Sequence, residues 1–493
     1  MQSFLIFFLL LLSGCMVGPR YTPPEMPLPA AFEESPDRES LSSDALCQFW
    51  KQFDDELLTS LVEEALSGNF DYSIALEQIW QARAQYQIQS SFLWPEIDLN
   101  ASAIRSQFSQ NIGFSLFGPT SATSTSGMNN TTVNTGSSSA AASSGTTASG
   151  SIMNFFQVGF DAIWELDFWG KFRHSKQAAF DLWEASVDDA ELVYITIISE
   201  VVRDYVTIRS LQEQIRLMEK IIEADERQLE LARVLQTAGL DNQIQVEQFV
   251  ASLEKDCALL PPLETNLKQM VYALALLLGK APEGFAERFN SYQPIPVALG
   301  KVMAGLPSDL LRRRPDIRSA ERNLAAATEQ IGTHVADLFP HIALTGDSYG
   351  YESNKVSNLF TSKSIFWSIG PTINWDLIDF GRVRGQIDLA KSEQRQALLT
   401  YQKTVVSALQ DVEGALVAYF EEQKRLLYLA EQAEANRQAL VLTEDLFQAG
   451  LVSELEELAA LETLLAAEQS LTQSTGALTN NLVALYKALA GNW

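Results

Sequence analysis

Few side chains in this 493-residue chain are spaced for covalent or acid–base chemistry. The three cysteines, Cys15, Cys47 and Cys257, form no CxxC pair and no metal-ligand spacing. The three histidines, His174, His334 and His341, make no HExxH arrangement, so surface or packing roles are expected of them. The sequence has no phosphate loop and no nucleophile elbow. An enzyme is therefore not expected, and neither a cofactor nor a metal is called for. Cys47 and Cys257 read as buried free thiols, although an oxidising compartment would permit one disulfide.

Cys15 stands apart from the other two. Residues 4–12 are apolar and end in Leu12-Ser13-Gly14-Cys15, which reads as a secretory signal, residues 1–14. The run is too short to cross a bilayer, which takes about 20 residues. A cysteine after the small pair resembles the acceptor of a lipoprotein signal. That resemblance implies cleavage before Cys15, then acylation of its thiol and its new amine. A plain cleaved signal or a buried cysteine is the alternative.

The elements that would carry such an anchored chain follow from its composition and repeats. An apolar fraction of 46% and a charged fraction of 20% are those of a folded protein. The net charge of −27 argues against nucleic acid, which needs clustered Lys and Arg. It fits a solvated acidic surface, or an acidic lumen favouring cations. Leu93-Trp94-Pro95-Glu96-Ile97-Asp98-Leu99 is similar to Leu338-Phe339-Pro340-His341-Ile342-Ala343-Leu344, an offset of 245. Gly170-Lys171-Phe172-Arg173 and Ala238-Gly239-Leu240 are similar to Gly381-Arg382-Val383-Arg384 and Ala449-Gly450-Leu451, an offset of 211. The chain is therefore a duplication, with 54–290 and 291–493 as its repeats after an N-terminal extension, 15–53. The first copy carries 34 extra residues between Pro95 and Trp164. Residues 118–151, almost all Ser, Thr, Gly, Ala and Asn, supply that excess and read as a flexible hairpin loop.

Phe156, Val158, Phe160, Ala162, Trp164, Leu166 and Phe168 alternate with mostly polar residues, as do Trp367, Ile369, Ile373, Trp375 and Leu377. Period two predicts strands with one greasy and one wet face. Weaker alternation over 95–105 and 340–350 supplies their partners. Each repeat thus contributes one β-hairpin, at about 95–168 and about 338–378. No proline occurs from Gly170 to Gln236 or from Gly381 to Gln448. Each span predicts a helix of roughly 100 Å, ended by Gly239 or Gly450 in the left-handed conformation. Return helices are expected at about 243–278 and 453–490, and descending helices at 54–93 and 308–337. Pro261-Pro262 should break or kink the first return helix.

Four strands cannot close a barrel, which takes about eight or more. An open sheet edge is not tolerated in lipid, so membrane-spanning strands require several copies. A soluble β-sandwich with one buried face is the alternative.

Leu306-Pro307-Ser308-Asp309-Leu310-Leu311-Arg312-Arg313-Arg314-Pro315-Asp316-Ile317-Arg318, then Ala320-Glu321-Arg322, resembles the signature of the TolC-like outer-membrane efflux family. So do Cys15-Met16-Val17-Gly18-Pro19-Arg20-Tyr21 and Trp50-Lys51-Gln52-Phe53-Asp54-Asp55-Glu56-Leu57. Together they are similar to the lipoprotein branch, OprM-like and NodT-like, that serves resistance-nodulation-division pumps. By itself the arginine run reads as a solvated face or local ion pairs. The resemblance implies an all-α part plus a membrane β-barrel: a long α-helical barrel continuous with a trimeric 12-stranded β-barrel. It implies a homotrimer anchored by Cys15 in outer-membrane lipid and extending into the periplasm. A periplasmic adaptor and an inner-membrane pump would be its partners. The tips Gly239, Leu240, Gly450 and Leu451 would meet the adaptor.

In that family acidic gate residues lie six and nine positions after the second tip glycine, here Glu456 and Ala459. Glu456 keeps the charge and Ala459 departs, so Glu457 and Glu462 join Glu456 as gate candidates; an exposed acidic helix face is the alternative. The function implied is passive conduction of substrates from the pump across periplasm and outer membrane. A structural periplasmic lipoprotein without a pore, or a duct for protein secretion, are the rivals.

Overall fold

The computed structural model describes residues 16–27, 29, 31–33, 48–107, 152–297 and 313–489, apart from the side chains of Met153, Asp347 and Ser348. Cys15, Cys47, the loop 118–151 and residues 306–312 of the signature lie outside the described residues. The chain divides into a helical unit (Met1–Ser90, Trp169–Leu338 and Ile378–Trp493) and a sheet unit (Ser91–Phe168 and Phe339–Leu377).

In the helical unit, α1 (Glu56–Gly68) and α2 (Phe70–Ser91) descend in the first repeat, and α3 (Lys171–Thr237) and α4 (Gln243–Leu277) follow. The second repeat supplies α5 (Pro315–Ala336), α6 (Arg382–Gln448) and α7 (Glu454–Leu489). The proline-free stretches appear as α3 and α6, of 67 residues each. Buried residues of α6 are spaced mostly by fours and threes: Val383, Ile387, Ala390, then Tyr401, Val405, Ala408, Val412, Leu416 and Tyr419. That is the knobs-into-holes rhythm of helices packed at a shallow angle. The central helix is α3, which packs on α1, α4, α5 and α7, while α6 packs on α5 and α7. A core of Leu58, Leu61, Val201, Val202, Tyr205, Leu274, Val405 and Leu482 joins both repeats.

Two expectations about helices are corrected. The first descending helix is broken in two at Asn69, which sits buried in extended conformation. Its Oδ1 accepts from the Tyr72 amide at 3.0 Å, capping α2, and its Nδ2 donates to the Leu277 carbonyl at 2.8 Å. The side chain thus joins the start of α2 to the end of α4. Conversely, α4 is not interrupted at Pro261-Pro262. Both prolines face solvent, so the carbonyls of Cys257 and Ala258 that lose their amide donors can turn toward water. Cys257 itself is half-buried rather than buried.

Of the two readings of the arginine run, a solvated face or local ion pairs, Arg314 follows the second. Arg314 is buried. It donates to both Asp316 oxygens at 3.0 and 2.8 Å, to Asp411 at 3.0 Å and to the Ala488 carbonyl at 3.2 Å. It is an ion-pair centre and not a solvated cation.

The sheet unit is one antiparallel sheet. β1 (Glu96–Gln107) pairs with β2 (Ile152–Leu166), and β2 with β3 (His341–Ser353). The expected fourth strand is shorter than its alternation: β4 (Ile365–Phe366) and β5 (Gly370–Asn374) each pair with β3, and 367–369 lie between them. A register shift between Phe160 and Ala162 puts one extra residue into β3. It restores parity, so Ile342 and Leu344 share a face with Tyr349 and Tyr351.

Candidate gate, helix tips and barrel face

The tips are built by identical backbone chemistry. At the first, Gly239 has φ +73°; its amide donates to Gln236 O and that of Leu240 to Leu235 O, both at 2.9 Å. At the second, Gly450 has φ +70°, with Gly450 to Phe447 O at 2.8 Å and Leu451 to Leu446 O at 2.9 Å. This is the Schellman pattern, in which a glycine takes the left-handed position and the last carbonyls find donors. The apolar residue after the glycine commonly packs back on its own helix. Here Leu240 and Leu451 are 77% and 72% exposed. Each tip therefore presents a leucine outward.

The gate candidates separate into different environments. Glu456 is exposed, and its Oε2 accepts from the Ser453 amide at 3.2 Å while the Glu456 amide donates to Ser453 Oγ at 3.4 Å. That reciprocal pair is a capping box at the start of α7. Glu457 is half-buried in the same turn, where Glu454 pairs with Arg227 at 2.8 Å. Ala459 is exposed. Glu462 is turned elsewhere: its carboxylate stands with those of Asp225 on α3 and Asp256 on α4, one oxygen of each within 4.8 Å of the others. Gln228 donates to Glu462 Oε2 at 3.4 Å, and Lys255 lies 3.3 Å from Asp256.

Burial, then the charges of Glu462 and Asp256, holds the Asp225 carboxyl well above the usual carboxylate range. Of these three carboxylates only Glu462 is a candidate from the sequence. For Asp225 the signal is a charge set in the core rhythm of α3 between Ile221 and Leu229.

The sheet has two unlike faces. Leu99 opposes Phe160, which opposes Tyr349, and Ile342 opposes Ile373. Partners in register share a face, and these apolar side chains are open: Leu99 is 64% exposed, Phe160 54% and Ile373 66%. Trp367, Ile369 and Trp375 continue the exposed apolar series. The other face carries Glu96, Asp98, Asn100, Asp161 and Glu352, with Asn100 donating to Asp161. His341 Nδ1 meets Glu165 Oε1 at 2.9 Å there. A soluble sandwich would bury its apolar rows, and these are open.

A family model described as "Outer membrane efflux protein" matches residues 61–280 and 306–491. The chain belongs to the outer membrane efflux protein family. Nodulation protein T of Rhizobium leguminosarum bv. trifolii is 31% identical, over 95% of this chain and 92% of that one. The solvent efflux pump outer membrane protein SrpC of Pseudomonas putida is 30% identical, over 100% of this chain and 98% of its own. Among solved structures, the outer-membrane channel OprN superposes with a TM-score of 0.81 at 30% identity, covering 97% of this chain and 100% of that one. The Neisseria gonorrhoeae MtrE outer membrane channel in its open state gives 0.79 at 27%, covering 97% and 98%. This efflux family member thus has the helical-plus-sheet fold of the outer-membrane channels and is an outer-membrane component of an efflux system. None of its described helices is long and apolar enough to cross a membrane.

Proposed function

We propose that three copies of this chain close a 12-stranded barrel in the outer membrane and a 12-helix duct in the periplasm. The duct passively conducts substrates delivered by an inner-membrane resistance-nodulation-division pump through a periplasmic adaptor. The observation that carries this is the open sheet: β1 lies at one edge, β4 and β5 lie at the other, and the exposed apolar face runs from Leu99 through Phe160 to Ile373. Unpaired edge amides and carbonyls are untenable in lipid, so copies of the sheet must join edge to edge. The apolar face then meets lipid and the acidic face lines the lumen, favouring cations. The exposed apolar side chains of α2 (Phe70, Ile74, Trp80) and α6 (Leu399, Leu427, Tyr428, Leu442) offer cover for neighbouring copies.

In the same reading Cys15 carries the lipid anchor, and Gly239, Leu240, Gly450 and Leu451 form the adaptor-contact tips. Glu456 and Glu457 supply charge at the periplasmic aperture, with Glu462 acting from behind it. Reconstitution of the purified protein into planar bilayers tests the proposal. Cation-selective single channels and a trimeric mass in detergent are expected; a monomer without conductance would sink it. Loss of fatty-acid labelling in Cys15→Ala checks the anchor, and site-specific crosslinking from Leu240 and Leu451 checks the tips.

A further inference from the structure

The three carboxylates of Asp225, Asp256 and Glu462 come from three helices and both repeats, far in sequence from one another. Asp225 is 2% exposed and Asp256 5%. Like charges brought together in the interior are expensive unless something positive stands among them. The nearby cation is Lys255, which contacts Asp256 and opposes the rise at Asp225, but its side chain is 71% exposed and water screens it. Gln228 offers one amide hydrogen bond to Glu462 and nothing to Asp225. A separate fact points at a ligand: Asp225 Oδ2 is fully buried and has no hydrogen-bond donor among the described residues. Asp225 thus brings one oxygen to the two other carboxylates while its buried Oδ2 lacks the partner its chemistry requires.

We propose that Asp225, Asp256 and Glu462 form a divalent-cation site that clamps α7 to the α3–α4 pair. Three carboxylates are hard oxygen ligands, suited to Ca²⁺ or Mg²⁺ rather than to the softer metals that thiolates and imidazoles select. Three protein carboxylates favour the larger ion, because Mg²⁺ dehydrates reluctantly and usually keeps several waters. The oxygens lie within 4.8 Å of one another, close enough for one ion to bridge them. The site is particular to the junction of the two repeats. At the offset of 211, Asp225 corresponds to Asn436 and Asp256 to Ala467, so the second repeat has no copy of it. The clamped helix α7 carries Glu456 and Glu457 in its first turn, so the ion fixes the helix that carries the aperture charges. That consequence rests on the channel reading; the binding does not.

Calcium binding to the full-length protein in detergent, stripped with chelator, tests the site by titration calorimetry and thermal unfolding. Saturable binding of one Ca²⁺ per chain is expected, with Mg²⁺ weaker and a Tm rise of several degrees. Asp225→Asn and Glu462→Gln should each weaken Ca²⁺ at least tenfold and abolish the rise. Glu393→Gln, an exposed carboxylate elsewhere, should not. Should Asp225→Asn fail to fold, the half-buried Glu462→Gln carries the test. Unchanged affinity in both variants, or no saturable binding, overturns the site. So does a wild-type protein indifferent to Ca²⁺ that Asp225→Asn stabilises at neutral pH, since a proton would then hold the cluster. Any of these outcomes is read without a bilayer and leaves the conductance test of the channel reading unaffected.

Discussion

Asn69 and Arg314, 245 positions apart, hold equivalent places in the two repeats: each donates its side chain to the carbonyl near the end of its own return helix. Asn69 reaches Leu277 at 2.8 Å and Arg314 reaches Ala488 at 3.2 Å. The acceptors are themselves related by the offset of 211. At both places a descending helix begins where a return helix ends, and the terminal carbonyls there need donors. Different residues meet the same requirement, an amide in one repeat and a guanidinium in the other. Asn69→Ala removes both the α2 cap and the Leu277 link, and should cost about 2 kcal/mol. Arg314→Ala strands Asp316 and Asp411 as well, and should cost about 3–5 kcal/mol. Urea unfolding followed by helix ellipticity checks the ranking; equal losses would mean that stranding Asp316 and Asp411 adds no cost.

The N-terminal segment is held by a second contact of this kind. His174 is buried, its Nδ1 2.5 Å from Glu329 Oε2 and its Nε2 2.9 Å from the Val17 carbonyl. The ring lies flat against Gly332, where an added Cβ would sit 2.5–2.6 Å from three ring atoms. Gly332→Ala must therefore push the ring away from Val17. A loss of about 1–3 kcal/mol is expected, together with faster proteolysis within residues 16–27. Unchanged protease resistance would show that other contacts hold the segment.

Two carboxylates should respond to pH with opposite sign. Hydrogen bonds from Arg288, then from Lys280, hold Glu64 down to about 2 despite some burial. Its folded value lies below its unfolded one, so its stabilisation is present above about pH 4.3 and fades as pH falls toward 2. Glu64→Gln should lose about 1 kcal/mol at pH 7 and almost nothing near pH 2. Burial, then Glu200, pushes Asp204 up to about 6, with Arg203 opposing. Its penalty is absent below about pH 3.9 and grows as pH rises through 6. Asp204→Asn should therefore gain stability at pH 7–8 and none near pH 3.5. Unfolding curves across that range decide both signs.

The long helices and the two-faced strands were legible because each is a repeating local pattern: no proline for a hundred ångströms in α3 and α6, and period two in β2. What escaped depends on contacts between distant segments. Asn69 looks like any polar residue in a helix until its buried position against Leu277 is seen. Pro261-Pro262 looks like a break until both rings are seen facing solvent. The alternation from Trp367 to Leu377 promised one strand, but β3 provides ladder partners for only parts of it. Spacing from Gly450 puts Glu456, Glu457 and Glu462 on one helix but does not say what each of them meets. It took the fold to place Asp225 and Asp256 beside Glu462.

Glu456 has two roles that one substitution can separate. Its carboxylate closes the capping box with Ser453, and its charge stands exposed six residues past Gly450. Glutamine serves in a capping box as glutamate does. Glu456→Gln should therefore keep unfolding stability within about 0.5 kcal/mol while lowering cation selectivity and altering conductance in planar bilayers. Ser453→Ala should do the reverse, costing about 1 kcal/mol with the charge left in place. If Glu456→Gln leaves both conductance and selectivity at the wild-type values, the residue is a helix cap and the aperture charge must come from Glu457 or from none of these carboxylates.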